Sequence, residues 1–195
     1  MNFLAHVFLS GGQAEILVGN FIGDFVKGAQ MEQYPEGIRT GIQLHRQIDH
    51  FTDTHDIVKK SKERLRPEFR HYSPVIVDVF YDHFLARDWE KFSEEQLDAF
   101  TMQCYETVAS YRAMLPADAA HMLTYMKRDN WLYNYRLKEG IHRALSGMAK
   151  RTPYDSKMEL AVHHLEKDYE EFADEFHAFF PELQQHCADF LSSVK

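Results

Sequence analysis

Histidine and aspartate residues recur inside apolar stretches in the first half of the chain. The stretches are FLAH with His6, GNFIGDF with Asp24, LHRQID with His45 and Asp49, and DVFYDHF with Asp78, Asp82 and His83. Imidazole nitrogens and carboxylate oxygens suit Mn²⁺, Fe²⁺ or Zn²⁺, whereas a structural zinc site would call for thiolates. These residue types therefore predict a site for a divalent metal ion.

Helical spacing lets some of these side chains converge. Four residues turn an α-helix by about 400°, so side chains at i and i+4 point within about 40° of each other. His45 and Asp49 can therefore reach one point, and so can Asp78 and Asp82. Asp82 and His83 differ by about 100°, so one of them is expected beside the metal ligands or on the substrate. Two acids on the inner face of an apolar helix need a cation or an arginine between them, because a buried, uncompensated carboxylate is costly.

Simpler roles stay open for several of the same residues. Asp24 after Gly23 and Asp53 in FTDTHD could each cap a helix. His6 could be a hydrogen-bonded core histidine. His45 and Asp49 could be a surface i,i+4 pair worth a few tenths of a kcal/mol.

The elements that must position these side chains are predicted to be helices. Nine glycines and six prolines in 195 residues, with 45% hydrophobic residues, favour long helices and one packed domain over residues 1–195. The β-branched residues of PVIVDVFYDHFLA make a strand the competing interpretation there, but the Ser73-Pro74 start and the length favour a helix. Boundary signals predict helices over 35–51, 55–65, 74–86, 93–112 with a Ser93–Gln96 capping box, a segment after Pro116, 130–147, 155–179 and a last one from Pro181. The expected fold is an all-α, single-domain multi-helix bundle with a long C-terminal helical pair.

Charge and cysteine content restrict the partners and the compartment. The formal net charge of −8 argues against nucleic acid and anionic membranes as partners. Cys104 and Cys187 are too few for a disulfide framework, which points to a reducing compartment. The first residues, MNFLAHVFLSGG, have no basic n-region, and no uncharged apolar run reaches the roughly 18 residues of a membrane span. A cytoplasmic location is therefore expected.

One segment departs from the acidic average. VKKSKERLRPEFRH carries only Glu63 and Glu68 against six basic residues, Lys59, Lys60, Lys62, Arg64, Arg66 and Arg70. Such a patch could steer an acidic partner onto an acidic protein. The alternative is an ordinary solvated helix face.

Five motifs in the same order resemble the acyl carrier protein phosphodiesterases, from residue 1 to about residue 153. They are MNFLAH, GNFIGDFVKG, GIQLHRQID with a following TD, DVFYDHFLARDW and GMAKRTP. That family is regarded as an atypical branch of the all-helical HD-domain phosphohydrolases. The resemblance implies hydrolysis of the phosphodiester that joins 4′-phosphopantetheine to a serine of holo-acyl carrier protein. It implies Mn²⁺ as the usual metal, with Fe²⁺ or Mg²⁺ as alternatives, and the acidic carrier protein as the partner of the basic segment.

The resemblance also implies roles for individual residues. The metal ligands would be His6, Asp24, His45 and Asp78, with Asp49, Asp82 and His83 close by. The chemistry of the reaction itself makes His83 the candidate general acid and Arg46 the candidate phosphate clamp; the alternative for Arg46 is a solvated helix arginine. The usual signature of HD domains is an adjacent His-Asp pair, and here such pairs are His55-Asp56, in a polar turn, and the reversed Asp82-His83. Two other functions stay open: an HD-like phosphohydrolase of nucleotides or small phosphoesters, and a non-catalytic helical module that binds an acidic partner.

Overall fold

Alpha-helices joined by short 3₁₀ turns make up the protein in a computed structural model that describes residues 1–194. The helices are α1 Phe3–Phe8, α2 Ala14–Ile22, α3 Glu36–Thr54, α4 Asp56–Phe69, α5 Ser73–Arg87, α6 Leu97–Ser110, α7 Ala117–Arg128, α8 Trp131–Asn134, α9 Lys138–Arg151, α10 Ala161–Lys167 and α11 Tyr169–Ser193. Within this range there is no β-strand, which confirms the all-α prediction, and the buried apolar side chains form one continuous cluster. No helix in the described part of the chain is long and apolar enough to cross a membrane.

The central helix α5 settles the choice between helix and strand. It runs from Ser73 to Arg87 and is buried around most of its circumference, which accounts for its β-branched composition. Pro74 lies in its first turn, as predicted. Ser73 does not cap the helix with its side chain; its Oγ donates a hydrogen bond to Arg70 O at 2.9 Å.

The predicted capping box at Ser93 is wrong. The Ser93 hydroxyl accepts from Glu95 N at 3.1 Å, and the indole of Trp89 donates to Glu95 O at 2.7 Å. These bonds fix a turn, so that α6 begins only at Leu97 and ends at Ser110. Local hydrogen bonds between side chains and the backbone thus form here in place of helical hydrogen bonds.

The predicted helix over 130–147 is divided into α8 and α9. Leu137 between them is extended, and α9 continues past Gly147 to Arg151. The two helices meet so closely that a Cβ on Gly140 would lie 1.9 Å from Asn134 O. Only glycine permits this contact, so Gly140 marks a helix junction and not a helix interior of ordinary packing.

The C-terminal helices also differ from the prediction. The break falls at Asp168, between α10 and α11, and Pro181 lies inside α11 instead of starting a new helix. Proline in a helix interior costs about 3 kcal/mol. Phe179, Phe180 and Leu183 around it are fully buried, so tertiary packing stabilises the helix through this position.

Helices α2 and α3 approach each other closely through two glycines. A Cβ on Gly19 would lie 2.0 Å from Ile38 O, and one on Gly41 would lie 2.1 Å from Ile16 O. Any side chain at either position would push the helices apart. The contact sets Asn20 of α2 directly beside His45 of α3.

Candidate metal centre

Three side chains from two helices converge on one point. They are His6 of α1 and His45 and Asp49 of α3, and one ligand atom from each lies within 4.8 Å of the others. The two imidazoles are buried and stacked, with ring centroids 4.0 Å apart. The Asp49 side chain is 41% exposed, so the cluster is open to solvent on the carboxylate side.

Asn20 fixes the orientation of both imidazole rings. Its Oδ1 lies 2.8 Å from Nδ1 of His6, and its backbone oxygen lies 2.8 Å from Nδ1 of His45. The amide orientation is itself set, because Asn20 Nδ2 donates to His6 O at 2.6 Å and to Ser10 Oγ at 3.1 Å. Each Nδ1 therefore donates to Asn20, and each Nε2 carries the lone pair in the neutral ring.

Both Nε2 atoms face acceptor oxygens. His6 Nε2 lies 3.2 Å from Met1 O and 3.3 Å from Asp49 Oδ1. His45 Nε2 lies 3.2 Å from Asp49 Oδ2 and 3.3 Å from Asp24 Oδ1. Lone pairs so arranged repel unless a proton or a metal cation lies between them. Two imidazole nitrogens and a carboxylate fit a divalent ion of intermediate hardness.

The pKa values of the three cluster residues are shifted by burial and by their close contacts. Burial, and after it the neighbouring His45, lower the pKa of His6 to about 4. Burial also disfavours protonated His45, but Asp24 and Asp49 outweigh it and raise the pKa of His45 to about 9. Burial works against ionised Asp49 as well, yet its bonds to the two imidazoles lower its pKa. The metal-free cluster thus holds a proton on His45 between carboxylates, which a divalent cation would displace.

Asp24 and Asp78 flank this cluster. Asp24, in the 3₁₀ turn Gly23–Phe25, reaches His45, and Gly23 lies so close to that ring that a Cβ would meet its Cγ at 2.2 Å. The Asp78 carboxylate lies 3.1 Å from the Met1 nitrogen, which lies 3.8 Å from Asp49. Asp78 is therefore connected to the cluster through the Met1 ammonium, and this is the cation it faces.

Asp82 has a different partner. It is fully buried and accepts from the backbone N–H groups of Leu4 at 2.7 Å and Ala5 at 3.2 Å. These amides belong to the first turn of α1, which has no helical acceptor for them. Burial raises the pKa of Asp82 to about 7, although both amides work against this. Asp82 thus holds the helix that carries His6.

His83 and Arg46 lie outside the three-residue cluster. His83 Nδ1 donates to Tyr135 O at 2.7 Å, and its Nε2 lies 2.7 Å from the Tyr169 hydroxyl. Burial lowers the pKa of His83 to about 4. Arg46 is exposed, and its guanidinium donates to Val26 O at 3.4 Å, just beyond the turn that holds Asp24.

Half of the basic segment is engaged in ion pairs. Arg64 makes two 2.8 Å hydrogen bonds to Glu175, Lys59 pairs with Asp56, and Lys62 pairs with Asp53 at 2.7 Å. The other three basic residues, Lys60, Arg66 and Arg70, are exposed. A groove of about 390 Å³ beside them is lined by Lys62, Arg66, Arg70, His71, Ser73 and Pro74.

Asn20 was not among the residues singled out from the sequence. Its signal was present, because an amide side chain in the apolar stretch ILVGNFI must find hydrogen-bond partners when buried. The Met1 amine was missed as well, since a chain terminus carries no sequence pattern.

Comparisons with known proteins bear on the activity of this site. The sequence model of a family described as acyl carrier protein phosphodiesterase matches residues 1–183. A protein of that name from Enterobacter sp. (strain 638) is 36% identical over 184 residues, which cover 94% of this chain and 95% of the relative. A protein of the same name from Salmonella dublin is 33% identical, over 96% of this chain and 98% of the relative. Another from Klebsiella pneumoniae is also 33% identical, over 95% of this chain and 96% of the relative. No solved structure matches.

Proposed function

The chain belongs to the acyl carrier protein phosphodiesterase family, and we propose that its cluster of His6, His45 and Asp49 is the centre of that activity. The reaction hydrolyses the phosphodiester of holo-acyl carrier protein and yields apo-acyl carrier protein and 4′-phosphopantetheine. One observation carries the assignment. Both Nε2 lone pairs and the Asp49 carboxylate point into one partly open site, as metal-dependent phosphoester hydrolysis requires.

His6, His45 and Asp49 would hold a divalent ion, for which we propose Mn²⁺, with Fe²⁺ or Mg²⁺ as alternatives. When bound, such an ion lowers the pKa of a coordinated water and offsets negative charge on the phosphate. Asp24, which reaches His45, supplies a further carboxylate oxygen, whereas Asp78 acts on the cluster through the Met1 nitrogen. Asn20 keeps both imidazole nitrogens directed at the site.

The positions of three further residues suggest their roles in the reaction. Arg46 lies one residue after His45 on an exposed face of α3 and can orient a phosphate oxygen. Asp82 acts by holding α1, and so His6, in place. The general-acid role of His83 stays a prediction from sequence, because Tyr135 and Tyr169 already bind both of its ring nitrogens.

The walls of the basic groove are linked to the helices around the cluster at two points, which supports a role in docking the acidic carrier protein. Lys62 pairs with Asp53, one helical turn after Asp49. Pro74 at the other wall lies one turn before Asp78 on α5. Lys60, Arg66 and Arg70 are exposed and form no salt bridge with another described residue, so they can attract acidic side chains, whereas Arg64 is bound to Glu175. A cytoplasmic location fits this partner and the two free cysteines.

Mass spectrometry of the carrier protein tests the proposal. Incubation of Mn²⁺-loaded enzyme with holo-acyl carrier protein should remove the mass of 4′-phosphopantetheine from the carrier. EDTA-treated enzyme and the Asp49→Asn variant should leave the carrier intact. An unchanged carrier with Mn²⁺ present would contradict the proposal, and turnover of nucleotide phosphoesters in the same preparation would favour the HD-like phosphohydrolase alternative.

A further inference from the structure

An apolar cavity of about 250 Å³ lies between α1 and the helices α7, α8 and α9. Aromatic and methionine side chains form its walls: Phe3, Met122, Trp131, Tyr135 and Met148. Along α9 it is bounded by small residues, of which Gly147 leaves the most space. Enclosed apolar walls with a few polar groups at the rim are typical of sites for small organic groups.

The first three residues run from the metal cluster to the cavity. Met1 O lies 3.2 Å from His6 Nε2, and Phe3 lines the cavity. Two residues of chain span at most about 7 Å. Between them Asn2 is buried and donates to the hydroxyl of Tyr135, a wall residue, at 3.2 Å, so this segment is held against the cavity.

The rim carries hydrogen-bond donors that the protein itself leaves available. Arg143 and Arg151 lie at the mouth and are exposed, and among the described residues no carboxylate forms a salt bridge with either. Asp129, the acidic residue of the rim, is bound by Arg128 through two 2.7 Å hydrogen bonds. The mouth therefore offers guanidinium donors to the carbonyl oxygens of a ligand.

We propose that this cavity binds the distal part of the 4′-phosphopantetheine arm while its phosphate lies at the cluster. The inference rests on the proposed function, which makes this arm part of the substrate. The arm leaves the phosphate as a flexible chain of apolar carbon groups, two amides and a terminal sulfur. Its carbon groups match the apolar walls, and its amide carbonyls match the two rim arginines. The cavity is thus a determinant of specificity for a prosthetic group over simple phosphodiesters.

Filling the cavity at Gly147 tests this proposal by kinetics. A Cβ at Gly147 would meet only Arg151 Nη1, at 3.8 Å, so Gly147→Leu has space to fold, and leucine is the better helix former. We expect KM for holo-acyl carrier protein to rise by about tenfold or more, with hydrolysis of bis(p-nitrophenyl) phosphate within about twofold of wild type. Gly147→Ala, which adds one methyl group, is the matched control and should lie near wild type.

The two possible failures differ. If the wild-type enzyme does not release 4′-phosphopantetheine from the carrier, the proposed function fails. If wild type is active and Gly147→Leu keeps the wild-type KM for holo-carrier, the function stands and the cavity proposal is wrong. Circular dichroism on both variants checks that they are folded.

Trp131 gives a readout that needs no catalysis. The chain has two tryptophans, and the other, Trp89, packs against Phe8 and Phe100, so Trp89→Phe leaves Trp131 as the only reporter. Pantetheine added to this variant should change Trp131 emission saturably, and the change should disappear in Trp89→Phe/Gly147→Leu. No change, an equal change in both variants, or a response to octanoate but not to pantetheine would overturn the proposal.

Discussion

The imidazole rings of His6 and His45 are stacked, with centroids 4.0 Å apart and planes inclined by 18°. The two rings belong to different helices and share Asn20, which accepts from both Nδ1 atoms. Because both Nδ1 atoms are turned to Asn20, both Nε2 atoms are turned to Asp49. The metal affinity that we propose for the site should therefore depend on Asn20, whose side chain does not reach the position of the metal itself.

Asn20→Ala should weaken metal binding. The substitution removes the acceptor of His6 Nδ1, while the backbone oxygen still holds His45. Loss of such a supporting bond typically lowers metal affinity about 10- to 100-fold. Calorimetric titration of the EDTA-treated protein with Mn²⁺ measures the change. Ser10→Ala is the control, because it removes two hydrogen bonds of the same network, to His6 O and from Asn20 Nδ2, and leaves both Nδ1 bonds in place. Equal losses in both variants would contradict the specific role of Asn20.

Asp49→Asn and Asp53→Asn should have very different effects. The two residues are one turn apart on α3, but Asp49 faces both histidines whereas Asp53 pairs with Lys62 at the surface. We expect Asp49→Asn to lower kcat/KM for holo-carrier by about 100-fold or more, and Asp53→Asn by less than about threefold. Steady-state assays at saturating Mn²⁺ make the comparison. Comparable losses would show that the position of the carboxylate on α3 does not matter.

The local part of this site could be predicted from sequence. The i,i+4 relation of His45 and Asp49 holds because both lie inside α3, and the Ser73-Pro74 signal correctly placed Asp78 and Asp82 on a helix. Periodicity constrains neighbours on one helix, so these relations required no knowledge of the fold.

Long-range contacts could not be predicted in the same way. The two acids of α5 suggested a shared cation. In the structure Asp82 accepts from the amides of Leu4 and Ala5, 78 and 77 positions away in sequence, and the half-buried Asp78 faces Met1. A carboxylate can be compensated by amides, an amine, an arginine or a metal, and sequence spacing does not distinguish these partners. Only the packing of α1 against α5 decides among them.

Reversing the charge of the three exposed basic residues of the segment should impair binding of the carrier protein but not of a small phosphodiester. For Lys60→Glu/Arg66→Glu/Arg70→Glu we expect KM for holo-carrier to rise about tenfold or more, with little change for bis(p-nitrophenyl) phosphate. The effect should shrink as salt is added, because exposed charges are screened. Arg112→Glu/Lys127→Glu/Lys157→Glu changes the net charge equally at other exposed positions. If this control raises KM as much, the net charge and not the groove is responsible.

His83→Gln separates a structural histidine from a general acid. Since its two nitrogens are bonded to Tyr135 and Tyr169, we expect a loss of about 1–3 kcal/mol in the free energy of unfolding and kcat within about threefold of wild type. Tyr169→Phe, which removes one of those bonds, should be destabilised in the same direction. If His83 were the general acid, its loss would instead lower kcat about 100-fold for holo-carrier, because the serine alkoxide is a poor leaving group. The same loss would lower kcat much less for a p-nitrophenyl ester.

Asp82 should make stability depend on pH between about 4 and 7. Burial raises its pKa to about 7, whereas the unfolded chain has the ordinary value of 3.8. The folded protein therefore keeps a proton that the unfolded chain has lost, so the stabilisation is complete below pH 4 and is lost as the pH rises through 7. Asp82→Asn keeps one acceptor oxygen, for the Leu4 amide, and has no such proton; its NH2 group then faces the Ala5 amide, a destabilisation that is the same at every pH in the range.

Urea unfolding of EDTA-treated protein at several pH values between 4.5 and 7.5 measures this dependence. The unfolding free energy of wild type should fall relative to that of Asp82→Asn by an amount on the order of a few kcal/mol across that range. Asp98→Asn, at an exposed position, should run parallel to wild type. The histidine cluster titrates in both variants, so its contribution cancels in the difference between them. Parallel curves for wild type and Asp82→Asn would therefore mean that Asp82 is ionised over the whole pH range. Its charge would then be fully compensated by the α1 amides and the Met1 ammonium.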